Sequence, residues 1–286
     1  MGIVEKLTTE QSAFSLEFFP PKKDMPMSTV YNAIERLAQS NPAFASVTYG
    51  AGGGNRERTL EVVSQVDTMG LEAIAHLTCV GSDHSMIGDI LDTLESKGIK
   101  NVLALRGDIP EDMDDSTAFV HYRHASDLIT EIKKRPGFTV AAAAYPESHV
   151  ESSGLERDIE FMKLKASLGV DFFITQLCFD TCAIVDLYEK LSKEGVKTPV
   201  VTGIMPVLNP KQIIRMSLLS ACSIPAPLSK IISRYGEKPE EFKKAGLEYA
   251  VRQISLLMEY NINKFHLYTM NKADEIEQIL SHSGLV

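Results

Sequence analysis

Arg106, Gly107 and Asp108 follow directly on the apolar run Asn101–Leu105, in NVLALRGDIP. They put a fixed cation, a residue without a Cβ and a carboxylate at the tip of what can only be a buried strand, and Pro110 closes off any continuation of the ladder. A plain surface ion pair between Arg106 and Asp108 is the alternative. A second carboxylate, Glu17, stands in SLEFFPP between Leu16 and Phe18. Burial there removes hydration and favours the protonated form, so Glu17 is a candidate proton donor near neutrality. Phe18, Phe19, Pro20 and Pro21 are expected to wall it, and no basic residue adjoins it on its strand. A buried glutamate paired with an arginine or lysine is the other reading.

Further polar residues sit where apolar runs end: Thr48 and Tyr49, His76 and Thr78, Tyr145 and Glu147, Thr175 and Gln176, Thr202, and His266 and Tyr268. Lys163 and Lys165, one to two turns after Asp158, would either face solvent or hold a pyrophosphate, with Asp158 on a ribose hydroxyl. His84, His121, His124, His149 and His282 read as loop or helix-end residues. The glycine run Gly50, Gly52, Gly53 and Gly54 does not make a dinucleotide fingerprint, because Asn55 stands at its last glycine position and Glu72 opens a strand instead of ending one. It would turn the chain or let it pass close to a flat ligand. Cys79, Cys178, Cys182 and Cys222 have no ligand spacing, so no metal site is expected and the thiols read as reduced packing residues.

These residues need elements that bring them together. The pattern predicts strands at Ser15–Phe19, Phe44–Tyr49, Glu72–Cys79, Asn101–Leu105, Thr139–Tyr145, Asp171–Cys178, Pro199–Met205 and Lys264–Met270. Helices are expected at Ser28–Gln39 with Ser28 as N-cap, Arg56–Met69, Asp83–Lys97 ended by Gly98, Ser126–Arg135, Leu155–Leu168, Thr181–Lys193, in pieces between Pro210 and Tyr260, and at Lys272–His282. Residues 1–13 form a polar, helical lead-in. Eight strand-then-helix units favour a single α/β domain, a closed (β/α)8 TIM barrel over residues 1–286, with an open doubly wound sheet as the alternative. In a barrel, every strand-end residue named above faces one mouth.

The length of 286 residues suits such a barrel, which typically needs about 250. A net charge of −9 and a pI near 5.3 argue against a nucleic-acid or anionic-membrane partner. No apolar stretch approaches the ~20 residues of a spanning helix, and no export signal is legible, so a soluble cytoplasmic protein is expected.

The segments SLEFFPP, SVTYGAGG, HLTC, ALRGD, AAYPESH, ITQLCFD, GIMPV and FHLYTMN, in this order and each at a strand end, resemble the catalytic barrel of the methylenetetrahydrofolate reductase family. The resemblance runs from about Phe14 to Asn271. It implies FAD held by Thr48, His76, Arg106, Gly107, Asp108, His124, Ala125, Tyr145, His149, Asp158 and Lys165, and a folate met by Glu17, Asp108, Gln176, Tyr268 and Lys272. It implies that Glu17 is the general acid that opens the five-membered ring of methylenetetrahydrofolate, and that Asp108 steadies the resulting cation. It also implies a ping-pong cycle in which NADH or NADPH reduces the flavin and the flavin reduces the folate to methyltetrahydrofolate. Such an enzyme serves one-carbon metabolism and methionine supply.

Three positions depart from the family pattern: Pro210 stands where an aromatic is common, His124 for a tyrosine, and Lys272 for an arginine. The chain ends at Val286, so no adenosylmethionine-binding regulatory domain is expected. A homo-oligomer is expected, with a partner subunit also allowed for. A proline-dehydrogenase-like flavin barrel would not need the acid in SLEFFPP. An aldolase or lyase would want a strand lysine or a metal cluster, and a non-catalytic folate-binding subunit would need neither Glu17 nor Asp108.

Overall fold

Eight parallel strands alternate with helices and close on themselves. The computed structural model describes residues 1–22, 24–49, 56–110 and 113–286, so the glycine run Gly50–Gly54 lies outside the described residues. In chain order the elements are α1 (Ile3–Thr9), β1 (Ala13–Phe18), α2 (Ser28–Ala38), β2 (Ala45–Val47), α3 (Arg56–Thr68), β3 (Ala73–Thr78), α4 (His84–Ser96) and β4 (Asn101–Leu105). There follow α5 (Asp115–Ala118), α6 (Ala125–Ile132), β5 (Thr139–Ala144), α7 (Leu155–Ser167), β6 (Phe172–Thr175), α8 (Thr181–Lys193) and β7 (Val200–Ile204). The last are α9 (Pro210–Ser220), α10 (Ala226–Tyr235), α11 (Pro239–Glu259), β8 (Lys264–Tyr268) and α12 (Ala273–Ser283). Each strand pairs with the next, and β8 returns to β1 with Ser15 opposite His266 and Glu17 opposite Tyr268. The closed barrel is therefore found, and the open sheet is not.

Strand alternation divides the core into two shells. Phe14, Leu16 and Phe18 of β1 point outward and pack with Val30, Ile34 and Leu37 of α2 in the shell between sheet and helices. Phe44, Ile74, Leu103, Phe172 and Ile174 point inward and fill the lower barrel, where Ile3 and Leu7 of α1 join them. The lead-in helix thus plugs the barrel's amino-terminal end. Above this apolar plug the inward positions turn polar, and that change leaves room for a site.

Several local expectations are corrected. Ser28 does not cap α2: Met27 holds the N-cap position in a helical conformation and no side chain caps the end. The Met27 carbonyl already accepts from the Val30 and Tyr31 N–H groups, so the helix begins one residue earlier than the serine suggested. β6 ends at Thr175 and not near Cys178, because the Gln176 side chain accepts from the Leu177 N–H at 2.8 Å and turns the chain out of the ladder. The polar loop after β4 contains α5, whose N-cap Asp114 accepts from the Thr117 N–H at 2.8 Å.

Candidate active site

Two adjoining cavities open at the carboxyl ends of the strands. The first, about 250 Å³, sits over the barrel axis and is lined by Glu17, Thr48, His76, Gly107, Asp108, Gln176 and Tyr268. The second, about 210 Å³, lies between β4, β5, α6 and α7, with Arg106, His124, Ala125, His149, Asp158 and Lys165 around it. Leu105, Ala143 and Tyr145 belong to both. The tip of β4 straddles them, since Arg106 faces the outer cavity and Gly107 and Asp108 the axial one. Gly107 sits there at φ +81°, and a Cβ on it would stand 2.9 Å from the Thr78 Cβ. Only glycine makes this turn without strain.

Glu17 is buried, but its surroundings differ from the wall the sequence suggested. Leu16 and Phe18 face the helices, whereas the carboxyl faces polar neighbours delivered by other strands. Its Oε2 lies 3.3 Å from His266 Nε2, 3.6 Å from His76 Nε2 and 3.5 Å from Ser46 Oγ. Among the described residues, neither arginine nor lysine pairs with it. No basic residue adjoins it on β1 itself; the imidazoles come from β3 and β8, which local sequence does not place. Burial holds His76 down to about 4, against the pull of Glu17, so its ring is neutral near pH 7.

His266, expected at the mouth with Tyr268, is instead fully buried one layer below, under Glu17. Tyr268 lines the axial cavity, but its hydroxyl donates to the Thr175 carbonyl at 2.6 Å. It offers a ring edge to a ligand and keeps its polar atom for the barrel. Gln176 also lines that cavity, beside Thr175.

In the outer cavity, Arg106 lies over the Phe119 ring at 4.5 Å and reaches Glu151 at 2.5 Å. Its Nε is buried and has no hydrogen-bond partner among the described residues. Lys165 is buried too, donating to the Ala143 carbonyl at 2.6 Å, and burial lowers it to about 8. Lys163 instead pairs with Glu194 at the surface, so the two lysines part company along α7. Asp158 accepts from Ser148 Oγ at 2.6 Å and from the His149 N–H at 2.9 Å, both on Oδ2, which fixes the loop after β5 while Asp158 lines the cavity. Burial, with Asp108 nearby, pushes Tyr145 up to about 12, so it remains a phenol.

Of the residues the resemblance places on FAD or folate, all but one line these two cavities. Lys272 is exposed at the N-cap of α12 and lines neither. Of the strand-end residues expected at the mouth, Thr202 instead turns outward to the Tyr188 hydroxyl at 2.8 Å, Glu147 accepts from the Ser223 N–H, and neither lines a cavity. Sequence reasoning passed over Ser15, Ser46 and Glu151. Ser15 lies two residues before Glu17 on the same face of β1, so strand alternation was the signal that could have found it. Pro210 opens α9 and packs near Gly236 of the helix that follows.

The chain is similar to known proteins along its whole length. It is 34% identical over 306 residues to methylenetetrahydrofolate reductase (NADH) 1 of Arabidopsis thaliana, an alignment that covers 100% of this chain and 51% of that protein. It is 33% identical over 261 residues to the 5,10-methylenetetrahydrofolate reductase of Escherichia coli K12, covering 91% of this chain and 86% of the bacterial protein. The chain therefore spans about half the length of its plant relatives. A solved structure described as an uncharacterized protein from Clostridium thermocellum that binds two copies of 5-methyl-5,6,7,8-tetrahydrofolic acid superposes with a TM-score of 0.67 at 17% identity, over 98% of this chain and 96% of that one, a likeness of fold. The family model for methylenetetrahydrofolate reductase matches residues 3–284, and on that match this chain belongs to the methylenetetrahydrofolate reductase family.

Proposed function

We propose that the protein reduces 5,10-methylenetetrahydrofolate to 5-methyltetrahydrofolate with FAD as resident cofactor and a nicotinamide as hydride donor. The observation that carries this reading is the placement of the Glu17 carboxyl at the floor of the axial cavity, with Asp108 and Gln176 on the same walls. FAD, when bound, would accept a hydride from NADH or NADPH and return it to the folate.

The residues present fit that cofactor. Arg106, whose buried Nε has no partner among the described residues, and Lys165 supply two cations for a diphosphate beside the N-terminus of α6 at Ala125. Asp158 offers its carboxylate to a hydroxyl. Leu105, Ala143 and Tyr145 form the mostly apolar partition that a flat ring system needs between the cavities.

Toward the folate, Glu17 would hold a proton at the nitrogen that leaves when the five-membered ring opens. Asp108, exposed at the rim, would stabilise the iminium cation formed on the substrate. Gln176 would hydrogen-bond the pterin, and the Tyr268 ring would limit its depth. His76, neutral and against Glu17, does not compete for the positive charge.

The test is a fluorescence titration of the purified protein with FAD, followed by anaerobic addition of NADH or NADPH and then methylenetetrahydrofolate. Quenching on binding, bleaching by a nicotinamide and recovery of colour with methyltetrahydrofolate as product are expected. Failure to bind FAD, or bleaching with no recovery, overturns the proposal.

A further inference from the structure

All protein contacts of the Glu17 carboxyl fall on one oxygen. His266 Nε2, His76 Nε2 and Ser46 Oγ approach Oε2, and among the described residues Oε1 has no partner, while Glu17 lines the axial cavity. The shortest of these contacts comes from His266, which nothing in the proposed function uses.

His266 has no freedom to turn. It is fully buried, stacked on Phe44 at 5.6 Å and set edge-on to Tyr268 at 5.5 Å. Its Nδ1 is 2.7 Å from Ser15 Oγ. The Ser15 hydroxyl has one hydrogen and two candidate acceptors, this Nδ1 and the Phe265 carbonyl at 3.1 Å. Given to the shorter contact, that hydrogen makes Nδ1 an acceptor and puts the ring proton on Nε2, which lies 3.3 Å from Glu17 Oε2 and 3.4 Å from Ser46 Oγ, the carboxyl oxygen being the stronger acceptor.

We propose that His266 is a positioning residue that makes the two oxygens of Glu17 inequivalent: its Nε2–H donates to Oε2, so the acidic proton resides on Oε1, facing the cavity. The proposal rests on Glu17 being the general acid. When Oε1 gives its proton to the leaving nitrogen of the folate, the charge left on the carboxylate is shared with Oε2. The bond from His266 then becomes charge-assisted and strengthens. The titratable groups facing Glu17 are His76 from β3 and Tyr268 and His266 from β8, with Asp108 and Tyr145 across the same cavity. Of these His76 is held neutral and Tyr268 stays a phenol. His266 is therefore the neighbour whose proton position decides which oxygen is the acid.

The first measurement uses the flavin-free protein with 15N-labelled histidine, the His266 signals being assigned by their loss in His266→Asn. A ring protonated on Nε2 is expected; a ring protonated on Nδ1 overturns the proposal.

The second compares His266→Gln, whose amide nitrogen can occupy the Nε2 position, with His266→Asn, whose amide reaches only the Nδ1 position. In the folate half-reaction, the Asn variant is expected to lose about tenfold in rate and to move its alkaline limb upward by about one pH unit, because the carboxylate has lost a donor. The Gln variant restores most of both, and flavin reduction by the nicotinamide is unchanged in each. Equal rates and limbs in the parent and both variants overturn the role of His266 while leaving Glu17 as the acid. A Glu17→Gln variant that reduces folate at the parental rate removes the acid assignment itself, and the role of His266 with it.

Discussion

The hydroxyl of Tyr268 donates to the carbonyl of Thr175 at 2.6 Å, across β7, and the strand between them carries Gly203 where the ring passes. A Cβ at Gly203 would fall 2.6 Å from both the Tyr268 hydroxyl and the Thr175 carbonyl. The absence of a side chain at 203 is what lets the tyrosine lie across the cavity floor. Tyr268→Phe keeps the ring and leaves the buried carbonyl unsatisfied, at a cost of about 1–3 kcal/mol. Gly203→Ala must displace ring or strand and is expected to cost more than Tyr268→Phe in urea unfolding. A Gly203→Ala protein as stable as the parent would contradict this packing.

His76 makes an acid-sensitive contribution. Its folded-state value is about 4, below the ordinary value of 6.5, so as pH falls the unfolded chain takes up this proton first. Stability is then lost progressively from about pH 6.5 to about pH 4, by about 3 kcal/mol in total. Flavin-free His76→Gln should lack this component in urea melts run across that window. An unchanged slope would show that His76 is solvated or charged in the folded state.

Lys165 predicts how cofactor retention depends on alkali. Burial holds it near 8, so it is a cation below that pH and loses its charge above it, while Arg106 stays charged throughout. FAD affinity is expected to fall by about tenfold between about pH 7 and about pH 9, the order of one charge-assisted contact. Lys165→Met should bind FAD weakly at every pH, with no such step. Fluorescence titrations across the range check this; a step that persists in the Met variant assigns it to another group.

Much of this organisation is legible in the residues. β4 at Asn101–Leu105 and α8 at Thr181–Lys193 are found at their expected bounds, because the first is an apolar run closed by Gly107 and Pro110 and the second starts at a capping aspartate, Asp180. Most polar residues at strand ends converge, since a parallel barrel puts every carboxyl end on one side, but Thr202 turns outward to Tyr188 and His266 lies below the cavity. What surrounds Glu17 was not legible. His266 is 249 positions away, and only the closing β8–β1 register brings it beneath the carboxyl. Local sequence suggested phenylalanine and proline walls, but alternation turns Phe18 to the helices, and the inner face is set by partners no neighbouring residue reveals. The family resemblance placed Lys272 at the folate, yet nothing in its local sequence says whether the start of α12 turns that side chain toward the cavity or, as found, to solvent.

The most direct test is an anaerobic stopped-flow comparison of the two half-reactions in the FAD-loaded parent and in Glu17→Gln. Bleaching by the nicotinamide should proceed at nearly the same rate in both, whereas reoxidation by methylenetetrahydrofolate should fall by about 10²–10⁴ in the variant. Equal losses in the two half-reactions, or parental reoxidation by Glu17→Gln, would contradict the assignment of Glu17 as the proton donor.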